Sequence, residues 1–480
     1  MKLFTGFDLV YSCAIVVLAV IASVISVRGK TLSDELSGEN RHTGYDHAIP
    51  TYWLVAYIGT FVVIAPVYML IKKDISLVAW AFFHVILVTA VYMILLTLFA
   101  PVLKKRLYAT SCITLWLMPN VLYLSLIGNS YSNAPAVVIR IPAFVLTVIT
   151  VIWMIGFITT LAKGFIEHHR FKKKIFEDAR DVSQHVRQLY HQVREEMRIK
   201  GNQYGHPYYA APLISPAINT PLAIGFLAES VRVILPDREY TDDELRLIFR
   251  HEWVHIVRKD SWTKLFLLIY RALCWFLPVA GKAVDCAAED MELSCDEIVL
   301  RDQDEHTKRE YGRLVLATAA GASGFTTCLS ASAASMKYRL QRILSDEKRR
   351  IGLPVIALAC SLLVFGSRLV TFAVDYGTVA ELLAAEQIDL SADELAAVYE
   401  GDKTNRISEY DAKGLTEDLL EMRICRLGGR YAFESDGNTT ILVFRDENSQ
   451  KETLFTVTEH TVSMHTWNTK RRDQTIYYRE

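Results

Sequence analysis

The chain has 480 residues, of which 51% are hydrophobic, and its formal net charge is −1. A chain of this length usually forms two or more domains, and the lack of a basic excess argues against direct binding of nucleic acid. The eight cysteines show no CxxC spacing, and residues 375–480 contain only Cys425, which excludes an internal disulfide in that region.

Six apolar segments are long enough to cross the hydrocarbon core of a bilayer, which takes about 20 helical residues. The first has no small-residue cleavage site followed by a soluble domain, so we interpret it as a retained span and not as a signal peptide. The predicted spans are residues 7–27, 52–71, 75–103, 107–127, 137–162 and 352–374.

Clusters of lysine and arginine orient these spans by the positive-inside rule. Residues 104–106 follow the third span, residues 172–174 follow the fifth, and residues 348–350 precede the sixth. The rule therefore predicts an outer N-terminus, residues 163–351 in the cytoplasm and residues 375–480 outside. Lys72 and Lys73 would then face outward, against the rule.

The segment between the fifth and sixth spans begins with mixed charges over residues 163–203, which predicts a solvated helix leaving the membrane. Residues 201–216 are rich in Gly, Pro and Tyr and predict a loop. Two short β-favourable runs follow, Ala223–Leu227 and Val231–Leu235, and Pro236 ends the second.

The next segment contains an HExxH motif, His251-Glu252-Trp253-Val254-His255. Thr241 is a suitable N-cap, and apolar residues recur at helical spacing after it, so the histidines are expected well inside a helix. Residues i and i+4 of a helix share one face, so both imidazoles can bind one metal ion while Glu252 acts as a base. By itself the pentapeptide could also be two surface histidines beside a solvated glutamate.

The predicted helices continue after the motif. Ser261–Pro278 is apolar but contains Lys264 and Arg271, so we interpret it as a buried or membrane-skimming helix and not as a seventh span. An acidic helix, residues 287–301, comes next, and helices over 305–320 and 335–345 lead to the last span. The C-terminal region predicts a small α+β domain with a helix over 379–399 and strands over 431–435, 439–444, 452–457, 462–467 and 475–478.

A catalytic zinc needs a third protein ligand and an open position for water. The acidic helix offers Glu292, and we favour it over the alternatives Glu289 and Asp260. Asp296 lies one turn after Glu292 and is available to hydrogen-bond a ligand imidazole.

The expected mechanism follows from these charges. Zinc lowers the pKa of its water towards 7, and Glu252 takes the proton during attack on the peptide carbonyl and passes it to the leaving amine. In zincins an edge strand holds the extended substrate, and one of the two β-favourable runs is the candidate. The residues that could stabilise the oxyanion, among which the sequence does not choose, are Arg258, Tyr311 and His306.

The chain resembles the BlaR/MecR family of bacterial membrane metallopeptidases over roughly residues 50–350. The matching blocks are the HExxHxxRxD pattern of residues 251–260, Leu235-Pro236, Trp275-Phe276-Leu277-Pro278, the segment 292–297, Tyr311-Gly312-Arg313-Leu314 and the segment 337–343. The resemblance implies a gluzincin-like site with one Zn²⁺ ion bound by His251, His255 and Glu292, with Glu252 as the catalytic base. Arg258, Asp260 and Asp296 are candidates for supporting or transition-state roles.

The resemblance also implies a fold class and an organisation. We expect a multispan α-helical membrane protein with a bundle over residues 1–162, a cytoplasmic α+β metallopeptidase domain over 163–351, a last span over 352–374 and an extracytoplasmic sensor domain over 375–480. The expected partners are a cytoplasmic protein such as a transcriptional repressor, the chain itself through autoproteolysis, the lipid bilayer, an extracytoplasmic ligand and a second copy in a homodimer.

The outer region departs from the β-lactam receptors of this family. Those sensors carry a nucleophilic Ser-x-x-Lys and a later Lys-Thr-Gly, and residues 375–480 contain neither motif. Direct acylation by a β-lactam is therefore not expected. The main hypothesis is a regulated sensor-transducer endopeptidase. The alternatives are a constitutive quality-control protease and a non-catalytic scaffold that keeps a zinc site.

Overall fold

The structure is a computed structural model. It describes residues 84–119, 132–133, 137–197, 210–226, 230–301, 303–319, 333–345, 349–350, 352–366, 370–386, 388, 390, 394–400, 405–427, 431–432, 439–446, 451–458, 461–468 and 471–479. The predicted spans 7–27 and 52–71, the first nine residues of the predicted span 75–103 and the end of the predicted span 107–127 lie outside these residues.

The described helices and strands alternate in blocks along the chain. The helices are α1 (His84–Arg106), α2 (Ala109–Leu117), α3 (Ala143–Glu177), α4 (Gln184–Glu196), α5 (Asp242–Arg258), α6 (Asp260–Leu273), α7 (Pro278–Val299), α8 (Glu305–Ala319), α9 (Ala333–Leu344), α10 (Leu353–Gly366), α11 (Val379–Glu386) and α12 (Ala412–Glu421). The strands are β1 (Ser132–Asn133), β2 (Val137–Pro142), β3 (Arg180–Asp181), β4 (Leu213–Ser215), β5 (Leu222–Ile224), β6 (Arg232–Pro236), β7 (Val370–Thr378), β8 (Leu395–Glu400), β9 (Arg406–Ile407), β10 (Arg423–Leu427), β11 (Tyr431–Ala432), β12 (Thr440–Asp446), β13 (Lys451–Val457), β14 (Thr461–Asn468) and β15 (Arg471–Arg479).

Two of the described helices, α1 and α3, are long and apolar enough to cross a membrane. Helix α3 has 35 residues and is about 52 Å long, so it extends well beyond a hydrocarbon core of about 30 Å. The prediction that this span begins at Val137 is wrong, because residues 137–142 form β2. Pro142 separates the strand from the helix, as proline cannot donate to a continuing ladder but suits the start of a helix.

The last predicted span, residues 352–374, is only partly helical. Helix α10 ends at Gly366 after 14 residues, about 21 Å, and residues 370–374 belong to β7. Val370, Thr371 and Val374 are β-branched and pair with neighbouring strands. Hydrophobicity alone cannot separate an apolar helix from a buried strand, which explains the error.

The C-terminal region forms most of a nine-stranded sheet in the order β2-β7-β10-β15-β14-β13-β12-β8-β9. The predicted strands 439–444, 452–457, 462–467 and 475–478 are confirmed as β12 to β15. The predicted strand 431–435 is confirmed only at Tyr431–Ala432, which pair with β1 in a separate two-stranded sheet, and residues 433–435 lie outside the described residues. The predicted helix 379–399 is wrong in its second half, because α11 ends at Glu386 and β8 pairs with β12. Strand β2, which directly precedes α3, joins the same sheet by parallel pairing with β7.

The segment between α3 and α10 contains a smaller sheet of order β3-β4-β6-β5. The two β-favourable runs are confirmed as β5 and β6, and β5 is the edge strand beside β6. This sheet, α4 and α5 share a core in which Tyr190 stacks on Trp253 with ring centroids 4.8 Å apart. The metal-motif helix is thereby fixed on the side opposite its histidines.

Helix α5 begins and ends at defined capping residues. Thr241 and Glu244 form a capping box that satisfies two backbone donors at its start. Lys259 adopts the left-handed conformation, with φ 58° and ψ 42°, and so ends α5 and starts α6 within one residue. This sharp turn brings Asp260, the first residue of α6, back beside the last turn of α5.

Candidate metal centre

Helices α5 and α7 bring three metal-ligating side chains together. His251 Nε2 lies 3.1 Å from His255 Nε2 and 3.4 Å from Glu292 Oε2, and His255 Nε2 lies 3.6 Å from Glu292 Oε1. All three residues are buried or half-buried. The spacing of the two histidines follows from their i, i+4 positions on one helix face, whereas the approach of Glu292 depends on the packing of α7 against α5.

The second nitrogen of His255 is held by Asp260. His255 Nδ1 lies 2.6 Å from Asp260 Oδ2, and both side chains are buried. With Nε2 turned toward Glu292, Nδ1 carries the proton and donates to this carboxylate. Asp260 thus fixes the tautomer and the ring orientation, as carboxylates commonly do for metal-binding histidines.

Arg258 holds Asp260 in place and connects it to α7. Its Nη2 donates to Asp260 Oδ2 at 2.6 Å and its Nη1 donates to Ser294 Oγ at 2.6 Å. A further bond joins Nη2 to the carbonyl of Met291 at 3.3 Å. The buried guanidinium is therefore occupied with supporting contacts, which favours a structural role for Arg258 over contact with a transition state.

His251 is held through a relay that the sequence did not predict. Its Nδ1 lies 2.8 Å from the hydroxyl of Tyr311, which donates to Asp296 Oδ1 at 2.5 Å. Asp296 in turn accepts two bonds from Arg339, at 2.5 and 2.8 Å. Asp296 lies 3.6 Å from His251 Nδ1, so the predicted support of the imidazole passes through Tyr311.

The alternative ligands lie elsewhere. Glu289 Oε2 accepts from Lys104 Nζ at 3.1 Å, on the other face of α7. Asp260 and Cys295 form a second potential group with His255, but it uses Nδ1 and Asp260 already binds Arg258. His306 is exposed on α8.

The electrostatics of the cluster favour a bound cation. Burial alone would raise the pKa of Glu292, but the charge of His255 and hydrogen bonds from both histidines hold it well below its usual range. Burial alone would lower the pKa of His255, but Cys295, Glu292 and Asp260 hold it well above its ordinary value. The buried carboxylates thus require positive charge between the two helices, which a divalent ion supplies as well as an imidazolium.

The donor atoms fit a zinc ion. Ligands about 2.0–2.1 Å from a tetrahedral zinc lie about 3.3 Å from one another. The two Nε2 atoms are 3.1 Å apart, and their nearest Glu292 oxygens, Oε2 for His251 and Oε1 for His255, are at 3.4 and 3.6 Å. Two imidazole nitrogens and one carboxylate oxygen are ligands that zinc accepts, and both remaining Nδ1 atoms have partners. Glu252 follows His251 on the same turn and is buried.

The rear face of α7 contacts α1, a candidate membrane span, and the short helix α2. Lys104 Nζ, at the end of α1, lies 3.3 Å from Asp290 Oδ1, and Trp116 Nε1 of α2 donates to Asp290 Oδ2 at 2.7 Å. Glu297 accepts from the backbone of Ala109 and pairs with Arg342 of α9. Helix α7 therefore presents Glu292 on one side and is tied to α1 and α2 on the other.

Comparison with known proteins agrees with this geometry. Residues 129–344 match the family model described as BlaR1 peptidase M56. This segment belongs to the BlaR1 peptidase M56 family. The match confirms the resemblance inferred from the motif blocks, and it contains both helices of the metal centre.

One relative of this M56 segment is the regulatory protein BlaR1 of Bacillus licheniformis. It is 27% identical over 203 residues, which cover 42% of this chain and 32% of that protein. The chain therefore matches about one third of the length of this distant homologue.

We expect Asp260→Asn to weaken zinc binding by about 10- to 100-fold, the range typical for loss of a partner to a ligand histidine. The amide has the size of the carboxylate but no charge, so it no longer attracts the protonated Nδ1 of His255 electrostatically. Competition with a chromophoric chelator measures the affinity. Asp243→Asn, on the first turn of α5, is the matched control, and equal affinities in the two variants would contradict the role of Asp260.

We also expect Lys104→Met to weaken zinc binding and lower thermal stability. Asp290 is 1% exposed, and burial already raises its pKa to about 6 despite the cation of Lys104. Breaking a buried ion pair costs on the order of 3–5 kcal/mol, and α7 must shift or take up a proton. Lys105→Met, at the exposed neighbour, is the control for melting and chelator competition. An unchanged zinc affinity in Lys104→Met would contradict the inference that the contact between Lys104 and Asp290 positions Glu292.

Proposed function

We propose that the chain is a zinc endopeptidase held at a membrane, with His251, His255 and Glu292 as ligands. The observation that carries the proposal is the convergence of three ligand side chains, with each imidazole Nε2 within 3.6 Å of a Glu292 oxygen and each Nδ1 bound to a second partner. Membership of a peptidase family supports the same conclusion. A purely structural site has no use for a buried glutamate such as Glu252 beside the first ligand.

Each residue has a separate task in the proposed reaction. When bound, zinc acidifies water and polarises the scissile carbonyl. Glu252 accepts the proton of the attacking water and delivers it to the leaving amine. Asp260 and the Tyr311–Asp296–Arg339 relay keep the imidazoles oriented, which limits the reorganisation needed during the reaction. Among the described residues, β5 pairs only with β6 and contacts α5, and its other edge is the proposed binding site for an extended peptide.

The proposed location is a bacterial cell membrane with the peptidase domain in the cytoplasm. Two described helices can span a bilayer, and Lys104–Arg106 and Lys172–Lys174 lie at the ends expected to face inward. The metal motif contains and is followed by several charged residues, which favours a site in water over one in hydrocarbon. The C-terminal sheet would then lie outside.

We further propose that the C-terminal sheet regulates cleavage. Strand β2 pairs with β7 of this sheet and continues into α3, and α3 packs on α6, whose first residue is Asp260. The related protein is named a regulatory protein, which favours a sensor-transducer over a constitutive protease. The proposed substrates are a cytoplasmic regulatory protein and the chain itself.

Replacing Glu252 with Gln tests the catalytic proposal. The amide cannot accept a proton, so we expect new cytoplasmic N-termini in the proteome to disappear while zinc remains bound at a 1:1 ratio. A matched control is Glu244→Gln at the start of the same helix. Cleavage that persists in Glu252→Gln with zinc bound would leave the non-catalytic scaffold as the better hypothesis.

Proline substitutions in β2 test regulation by the outer domain. Neighbouring strand residues direct their N–H groups to opposite sides, so one of Val138→Pro and Ile139→Pro removes a bond to β7 and the other mainly removes an outward N–H. We expect the rate of cytoplasmic cleavage to change in only one variant. Equal rates in both variants and the parent chain would favour a constitutive protease.

A further inference from the structure

In the part of the chain that the structure describes, the turn between α6 and α7 presents large apolar side chains at the surface. Trp275 is 39% exposed and Phe276 is 48% exposed. The ten residues between Arg271 and Lys282 carry no charge, whereas these two flanking cations are both exposed. An apolar segment bounded by cations is the pattern of a peptide that enters a bilayer from its charged surface.

This turn is docked on the middle of α3. Trp153 Nε1 of α3 donates to the carbonyl of Leu273 at 2.9 Å, and Trp275 Nε1 donates to the carbonyl of Trp153 at 3.2 Å. Gly156 lies under the indole of Trp275, since a Cβ there would be 2.0 Å from a ring atom. Small residues allow such close approach between membrane helices.

A second contact fixes the direction of α6 along α3. A Cβ on Gly164 would lie 2.5 Å from Leu268, so this leucine packs at a glycine eight residues further along α3. Gly156 and Gly164 are about 12 Å apart along the helix axis. Helix α6 therefore runs antiparallel to α3. The C-terminal end of α6 lies nearer the outer end of α3 than the middle of α6 does.

The contacts give the depth of the turn. The uncharged part of α3 ends at Lys163, which marks the inner boundary of the hydrocarbon. Gly156 precedes Lys163 by seven residues, about 10 Å. Trp275 is therefore about 10 Å inside this boundary. Arg271 is four residues nearer the boundary on α6, within reach of headgroups for a long side chain.

The backbone of the turn is suited to hydrocarbon, where unsatisfied polar groups are costly. The indole of Trp153 satisfies the carbonyl of Leu273 at the end of α6. The N–H of Cys274 bonds to Tyr270, and the N–H of Leu277 bonds to Cys274. Pro278 begins α7 and has no N–H that would otherwise need a partner.

Exposed apolar residues of α3 lie next in sequence to the residues that contact the turn. Ile152 is 56% exposed and Ile155 is 60% exposed, and both flank the residues that contact Trp275. If α3 spans the bilayer as proposed, the same acyl chains that cover these isoleucines cover Trp275 and Phe276. This proximity favours lipid over a second copy of the chain as the occupant.

We propose that α6 and α7 form a re-entrant hairpin whose tip, Trp275–Pro278, lies in the hydrocarbon and binds lipid acyl chains. The inference rests on the proposed membrane location but not on the peptidase activity. Asp260 is eight residues from Leu268 on α6, about 12 Å. The hairpin thus holds Asp260, which orients His255, at a fixed distance from the membrane surface.

Nitroxide accessibility tests the hairpin in the full chain. Phe276→Cys, Ile152→Cys and Arg309→Cys are each labelled and reconstituted in vesicles of phosphatidylcholine and phosphatidylglycerol, and the unsubstituted chain gives the background from native cysteines. Collisions are measured with oxygen, which concentrates in hydrocarbon, and with a water-soluble nickel chelate. We expect the label at Phe276 to match Ile152, with loss of the nickel collisions seen at Arg309.

Two results would overturn the proposal. A label at Phe276 that meets nickel as freely as the one at Arg309 places the tip in water. A label that meets neither reagent shows that protein covers it. These results leave the peptidase proposal intact, because zinc binding and Glu252-dependent cleavage are measured separately.

A variant of α3 tests the docking contact. Gly156→Leu, made together with Phe276→Cys, fills the space of the Trp275 indole, so we expect the label to regain nickel collisions. Gly281→Leu is the matched control, because a Cβ there meets nothing within 4 Å. An unchanged accessibility in Gly156→Leu would refute the assigned depth.

Discussion

The need to neutralise buried charge between α5 and α7 is the constraint on which the arrangement of the centre depends. Glu292 and Asp260 are carboxylates placed against the two imidazoles, and each would be costly to bury without a positive partner. Arg258 supplies one permanent cation from α5, and Arg339 supplies another on the opposite side. The negative charge that remains beside the two Nε2 atoms suits a divalent cation.

Helix α7 links this centre to the rest of the molecule. One face carries Glu292 and Asp296, and the other binds Lys104 of α1 and Trp116 and Ala109 of α2. The N-terminal end of α7 forms the second arm of the proposed hairpin that packs on α3. A displacement of α1 and α2 therefore cannot leave Glu292 in place unless these buried contacts break.

The predictions from sequence failed where one pattern fits two structures. The segment 352–374 is apolar on both sides of Gly366-Ser367-Arg368, and its second half becomes a strand because β7 gains partners on both sides in the sheet. In the same way, residues 395–399 form a strand of the sheet and not the end of the predicted helix. The sequence indicates Tyr311 only as a candidate to stabilise the oxyanion and gives no role to Arg339, because nothing local to either residue indicates its contact with Asp296.

The sequence by itself determined the elements whose cause is local: the spacing of His251 and His255 on one face, the Thr241 cap, the apolar length of α1 and α3 and the family motifs. Tertiary structure alone decided which carboxylate approaches the imidazoles, which groups hold their second nitrogens and which strand joins β2 to the C-terminal sheet. Glu292 is 37 residues from His255, Tyr311 is 60 residues from His251, and Val370 of β7 is 233 residues from its partner Val137 of β2. Asp260 is only five residues from His255, but the turn at Lys259 is needed to bring them together. The energy of such contacts depends on packing and burial, which periodicity and spacing along the chain do not encode.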